Sequence, residues 1–437
     1  MNPPFRTAKS CITGALCCLA LTVLPVIGAG SAAERVIDRE HYAARLHGFW
    51  LGQCIANWTG LVTEMDKIGG EGTHGEFYTR ADWGATDQPS IWGGGLPSPL
   101  SDTIDWVFEG KDGSWGADDD TDIEYMYQYL TVRHQATVLT PEQIRDGWLK
   151  HIYSDANTPF VNAEGEPENY LWVSNQRAHD LMRERRLLPP DTSGRKVNPD
   201  ADMIDAQLTT EIFGLFAPGR PDVALRLAYL PIRTTARDEA VHAAEFYVVM
   251  YSLAAVADEH LEPREQVLWM ANTARSYLPD DSTTAKMYDF VKGRYDAGVR
   301  WEQARDDVYQ RYQVEQKDGY DITSRNLYCN GCFASGINFA ASLVSLFYGE
   351  GDFRETVKIA VLAGWDSDNP AATWGGLLGF MQGKDGLERA FERKFGSRFH
   401  IHRTRGNFPD DGFDTFEDMA ASGVEIVDRV VLREMGG

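Results

Sequence analysis

The 437-residue chain is poor in cysteine and in basic charge. Three of its six cysteines (Cys11, Cys17 and Cys18) lie close to the N-terminus, leaving Cys54, Cys329 and Cys332 further on. Three thiols cannot build a disulfide scaffold, nor a four-ligand zinc site without other residues. Cys329 and Cys332 are spaced for a local disulfide around Asn330-Gly331. The strand–helix context of a thioredoxin-like redox motif is missing around them. Lys and Arg total 42 against 65 Asp and Glu, a formal charge of −23. That balance excludes diffuse binding to nucleic acid or to an anionic membrane, either of which needs a basic face. Alternating strand patterns with hairpin turns are scarce, and no internal repeat is visible. Hydrophobic content of 43% and 11% aromatics nevertheless suffice for a packed core, which excludes a disordered acidic chain.

What is present begins with an export signal over residues 1–33. Arg6 and Lys9 make a short basic start, Cys11 to Ile27 is apolar, and Ser31-Ala32-Ala33 offers small residues for cleavage before Glu34. The alternative is an uncleaved anchor, for which the run is barely long enough. Cleavage leaves 40 basic against 65 acidic residues, a charge of −25, and a secreted or periplasmic protein with no membrane attachment.

Helical patterning dominates the rest. Asp38 can cap a helix running through Tyr42, Leu46, Phe49 and Trp50 towards Trp58. Thr140-Pro141-Glu142-Gln143 is a capping box with proline at the first helical position. Ala240–Ala257 is almost continuously apolar and predicts a central buried helix, and Asn338–Tyr348 and Ala371–Met381 read similarly. Residues 68–100, 154–170 and 189–202 are loop-like, and none is an interdomain linker. The expectation is an all-α protein, a single large domain over 34–437 with long surface loops, in which 395–437 is an extension of unassigned role.

Two acidic clusters carry the chemistry. Asp118-Asp119-Asp120-Thr121-Asp122 opens a helical pattern. A helix N-terminus favours negative charge by about 0.3–1 kcal/mol. Adjacent carboxylates repel by about 4 kcal/mol per close pair at an effective dielectric near 20. Either the cluster faces water or it holds a cation. Gly364-Trp365-Asp366-Ser367-Asp368-Asn369 interrupts a strongly apolar stretch, where two carboxylates need a reason to be. Hard oxygen ligands suit Mg²⁺, Mn²⁺ or Ca²⁺ rather than Zn²⁺.

These clusters resemble the paired metal motifs of the ADP-ribosylglycohydrolase superfamily, which includes the dinitrogenase reductase-activating glycohydrolases and ADP-ribosylhydrolases. Gly48-Phe49-Trp50-Leu51-Gly52 resembles the family's first glycine-spaced helix. Asp205-Ala206-Gln207 and Gly214–Gly219 resemble its mid-chain segment, and Asn338 and Tyr348–Phe353 the approach to the second motif. The matches keep their order across residues 42–380. The family's Thr-Asp-Asp-Thr falls on Asp118, Asp119, Asp120 and Thr121, and its Gly-Asp-Thr-Asp-Thr/Ser on Trp365, Asp366, Ser367, Asp368 and Asn369.

The resemblance implies the orthogonal helical fold of that family and two divalent cations, Mg²⁺ first among them. It assigns Asp119, Asp120, Asp366 and Asp368 as ligands, with Asp118 and Asn369 where the family has hydroxyls. Many members carry an Asp beside the second glycine of the first helix and a Glu about eight residues beyond. Here those positions are Gln53 and Gly60, and the nearest acid is Glu64, taken as the catalytic acid or substrate-orienting residue. Asp122 and Glu124 are expected as ordinary helix-surface acids, the alternative being hydrogen bonds that support the ligands from behind. The implied activity is hydrolysis of an N- or O-glycosidic bond at the anomeric carbon of ADP-ribose, on a small molecule or an ADP-ribosylated protein. Alternatives are hydrolysis of another ribosyl or sugar glycoside on the same site, or ADP-ribose binding without turnover.

Overall fold

Asp38 accepts a hydrogen bond from the His41 N–H and starts α1 (Arg39–Gly60), which is buried over most of its length. The structure, a computed structural model, describes residues 36–437 apart from 94–97, 99, 117, 162–164 and 326–327. The expected export segment lies outside the described residues.

Asp118 caps α2 (Asp119–Arg133), and Thr140 caps α3 (Pro141–His151) through the expected box with Gln143. α4 (Val173–Arg185), the short α5 (Ile212–Leu215) and α6 (Pro221–Thr235) follow. The apolar run forms α7 (Glu239–Ala254), buried at nearly every position. It stops short of the expected Ala257 because the chain turns there, with Val256 N donating to Leu253 O at 3.0 Å. α8 (Pro263–Arg275), α9 (Thr283–Asp296) and α10 (Trp301–Val308) lead to α11 (Ser335–Gly349) and α12 (Phe353–Ala363). α13 (Asp368–Phe391) and α14 (Phe416–Val430) complete fourteen α-helices among the described residues. Three short strands, β1 (Ser114–Trp115), β2 (Arg398–His400) and β3 (Phe413–Thr415), form the described sheet, with β1 parallel and β3 antiparallel to β2. The chain is all-α in class, and no described helix is long and apolar enough to cross a membrane.

The site is positioned by the packing of α1 on α13. Their small residues let the backbones nearly touch: a Cβ placed on Gly52 would meet Gly375 O at 2.3 Å, and one on Gly48 would meet Gly379 O at 2.3 Å. This contact brings the C-terminal end of α1 against the N-terminal end of α13, where the second acidic cluster begins. Residues 38–437 form one compact unit. The C-terminal segment belongs to it: β2 pairs beside β1, and Gln128 on α2 donates to Met419 O on α14 at 2.9 Å.

Candidate metal centre

Three chain segments meet at the ends of α1, α2 and α13. The first is the turn after α1, which carries Glu64. Met65 N donates to Trp365 O at 2.9 Å and Trp365 N to Lys67 O at 2.6 Å, so this turn is paired with the loop before α13. The loop needs Gly364, whose φ is +93° and whose added Cβ would strike Lys67 O at 2.6 Å. Thr63 Oγ1 donates to Val361 O at 2.6 Å and lies 2.9 Å from Ser367 Oγ, locking turn and loop together. Behind them the buried Arg305 guanidinium donates to Leu362 O, Ala363 O and Tyr78 O, taking up the last carbonyls of α12.

The result is two groups of carboxylates. Glu64, Asp366 and Asp368 can place one oxygen each within 4.8 Å of one another, as can Asp118, Asp119 and Asp120. Asn57 on α1 stands between the groups, its Nδ2 donating to Asp118 Oδ2 at 3.1 Å and lying 3.5 Å from Asp368 Oδ2. Asn369 Nδ2 donates to Asp120 Oδ1 at 3.0 Å, and its Oδ1 accepts from Gln207 Nε2 at 3.3 Å. Asn369 therefore orients Asp120 from beside it, with its own oxygen already engaged. Glu64 and Asp119 are partly exposed on the cleft wall, whereas Asp118, Asp120, Asp366 and Asp368 are buried.

The electrostatics follow from crowding in a dry place. Burial pushes the Glu64, Asp118, Asp120 and Asp366 carboxyls well above the ordinary carboxylate range, and neighbouring carboxylates push the same way. Burial also raises Asp368, to about 6. Asp119 is raised by burial, with the Arg405 charge opposing. Such a cluster must take up protons or cations. The donor set fits a hard divalent cation: it is all oxygen, and buried Asp368 Oδ1 and Asn57 Oδ1 have no hydrogen-bond partner.

The cleft over these acids has a volume of about 30 Å³ and is lined on its other sides by Trp92, Trp172, Val173, Ile204, Asp205, Leu208 and Phe333. The Trp92 ring lies nearly parallel to Trp172 (8°, centroids 6.1 Å apart) and to Phe333 (18°, 5.6 Å). Trp92 and Trp172 remain half exposed. Asp205 is held by Ser174 Oγ at 2.7 Å and Asn175 N at 2.9 Å, and burial lifts its carboxyl to about 7.

Glu64, Asp118, Asp119, Asp120, Asp366 and Asp368, all singled out in the sequence, come together here. Asp122 and Glu124, expected at the helix surface, are instead fully buried. The reason is that the first turn of α2 enters the core rather than facing water. Asp122 pairs with Arg405, while Glu124 accepts from Gln53 Nε2 and Ile212 N at 2.7 Å each. Asn57 and the aromatic wall were not anticipated, whereas Asn338 belongs to the stretch that resembles the approach to the second motif. Asn338 Oδ1 accepts from Asp366 N at 3.2 Å, and its Nδ2 donates to Cys332 O at 2.8 Å. Cys332 and Cys329 form the expected local disulfide, and Cys54 is a buried free thiol. The one usable signal for Asp205 was its place in the mid-chain segment that resembles the family.

A solved chain titled "ADP-ribosylglycohydrolase-related protein complex" is similar at 15% identity and a TM-score of 0.51, over 89% of this chain and 99% of that one, which shows a shared fold. No functionally curated protein matches the sequence. The family model for ADP-ribosylglycohydrolase matches residues 38–408, the span that holds every carboxylate of the cleft. The chain thus belongs to the ADP-ribosylglycohydrolase family and is, with that family, a glycosidase-type hydrolase.

Proposed function

We propose that the protein hydrolyses an N- or O-glycosidic bond at the anomeric carbon of ADP-ribose, borne by a small molecule or by an ADP-ribosylated protein. The observation that carries this is the convergence of Glu64, Asp119, Asp120, Asp366 and Asp368 on one cleft with an aromatic wall, with Asp118 grouped beside Asp119 and Asp120. Two divalent cations, Mg²⁺ in the first place, would be held by Asp118, Asp119, Asp120, Asp366 and Asp368, with Asn57 and Asn369 fixing the orientation of those carboxylates. When bound, such ions bind ribose hydroxyls and a water and raise the acidity of that water.

The chain's own groups do the rest. Glu64, at the edge of the cluster and partly exposed, is placed to move a proton at the departing oxygen or nitrogen. The surrounding carboxylates favour the positive charge of an oxocarbenium-like transition state. Trp92, Trp172 and Phe333 exclude water from the far side of the cleft. Arg and Lys are absent from the described lining, so an anionic substrate would be received through bound cations and backbone amides. The same proposal includes export: residues 1–33 direct the chain to a secreted or periplasmic location.

The test is a panel of ADP-ribosyl protein, ADP-ribosyl, nucleoside and aryl-glycoside substrates with Mg²⁺ or Mn²⁺, on the native protein, Asp119→Ala and Asp366→Ala. Release of ADP-ribose by the native protein alone is expected. Activity confined to plain nucleosides would defeat the assignment. A second reading, binding without turnover, draws on Gly60: the acid found there in many relatives is absent, and the backbone at that position is packed on Asp368. Tight ADP-ribose binding with no hydrolysis across several metals would favour it.

A further inference from the structure

Arg405 sits behind the cleft, outside the residues that line it, and is 5% exposed. Its Nε lies 2.9 Å from Asp122 Oδ2, an ion pair whose side chains are 1% and 0% exposed. Nη1 donates to Asn169 O at 2.7 Å and to Thr404 Oγ1 at 2.9 Å, and Nη2 to Tyr170 O at 2.9 Å. Each end of the guanidinium therefore reaches a different wall. Asp122 stands in the first turn of α2, two residues beyond Asp120. Asn169 and Tyr170 open the segment that carries Trp172 and Val173 into the cleft. That segment has left-handed backbone at Tyr170 (φ 48°) and Val173 (φ 37°), a conformation that needs outside support in non-glycine residues. The backbone of Arg405 is itself fixed, bridged to Ile152 and donating to His402 O at 2.9 Å.

We propose that Arg405 is a positioning residue, which holds the first acidic motif and the aromatic wall at a fixed separation across the cleft. A planar guanidinium can do this because its charge pairs with the Asp122 carboxylate at one end while its Nη donors, pointing along fixed directions, satisfy two carbonyls at the other. The proposal rests on the assignment of the acidic cluster as a divalent-cation site. It gives the C-terminal part of the chain a share in that site, since Arg405 reaches it from the segment after β2. Outer partners of metal ligands alter affinity by about 10–100-fold when removed.

The test uses the full chain in two variants, with Mn²⁺ as the metal probe and free ADP-ribose as the ligand probe. Arg405→Gln alone leaves Asp122 buried and unpaired, so it is made together with Asp122→Asn, which removes both charges. In this double variant Mn²⁺ affinity should fall by about tenfold or more. Amide exchange should quicken in residues 118–124 and 166–176, while α7 keeps its protection. Arg405→Lys retains the charge on Asp122 but lacks the fork, so Mn²⁺ affinity should stay within about threefold. In that variant exchange should quicken over 166–176 alone, with weaker ADP-ribose binding. A folded double variant with native Mn²⁺ affinity and native exchange in both segments would overturn the proposal. Native protein that takes up no Mn²⁺ would remove the metal assignment instead, while the exchange comparison still decides whether Arg405 joins the two walls.

Discussion

Replacing Gly60 by alanine is expected to damage the acidic cleft more than it damages the fold. The new Cβ would stand 2.3 Å from Asp368 Cα and 2.9 Å from both Asp368 N and Asp368 Cβ. These atoms are backbone or rooted in it, so no rotamer change relieves the clash. Ordinary contact distances demand that α1 and α13 part by about 1 Å at this point. Overpacking of this kind costs about 1–3 kcal/mol. Alanine returns up to about 1 kcal/mol through helix propensity. The net loss is about 1 kcal/mol, a fall of about 1 °C in Tm for a unit of this size. The cation site has far less tolerance, since ligand distances must hold within about 0.2 Å. Mn²⁺ affinity measured by calorimetry should therefore drop at least about tenfold. Gly375→Ala is the control: its Cβ would meet Ala56 Cβ at 2.2 Å on the same helix pair, two turns along α13 from Asp368. It should lower Tm similarly and leave Mn²⁺ affinity within about threefold. Native Mn²⁺ affinity in a Gly60→Ala protein of reduced Tm would refute the reasoning.

Three further outcomes follow from the site. In protein stripped of metal, Asp368 titrates near 6 and Asp205 near 7, above the values near 3.9 expected on unfolding. The folded chain then binds more protons than the unfolded one between these limits, so the stability from these groups is greatest below about pH 4 and is lost as pH rises through 6 and 7. Urea midpoints with and without Mg²⁺ should accordingly show a larger gain from the ion at pH 8 than at pH 5; an equal gain at both would count against the linkage. Glu64→Gln keeps the size of the side chain and removes its proton chemistry, so turnover in single-turnover assays should fall by about 10²–10⁴, and undiminished turnover would strip Glu64 of its assigned role. Asn57→Leu removes the amide between Asp118 and Asp368, and calorimetry should find Mn²⁺ bound about tenfold more weakly in a protein that still folds.

How much of this could be read from sequence differed by residue type. Asp118–Asp120, Asp366 and Asp368 were legible because each group is contiguous and opens a helix, and charge placed against apolar sequence calls for an explanation. Asp38, Thr140 and the apolar run of α7 were legible because capping and burial are local properties. Asn57, Trp92, Trp172 and Phe333 carry no such mark. An amide or an indole in a sequence has many ordinary uses, and only the packing of α1 on α13 and the paired turns at Met65 and Trp365 bring these residues to one place. The burial of Asp122 and Glu124 is hidden in the sequence for the same reason, since their partners Arg405, Gln53 and Ile212 stand far along the chain. The C-terminal sheet escaped because strands of two or three residues leave too short a pattern to detect.

The central claim is that one cleft holds divalent cations between two carboxylate groups, and a calorimetric titration of Mn²⁺ into the native protein and into Asp366→Ala tests it most directly. The account predicts saturable uptake of two ions by the native protein, and loss of that uptake in a variant that remains folded. Indistinguishable titrations of the two proteins would contradict it.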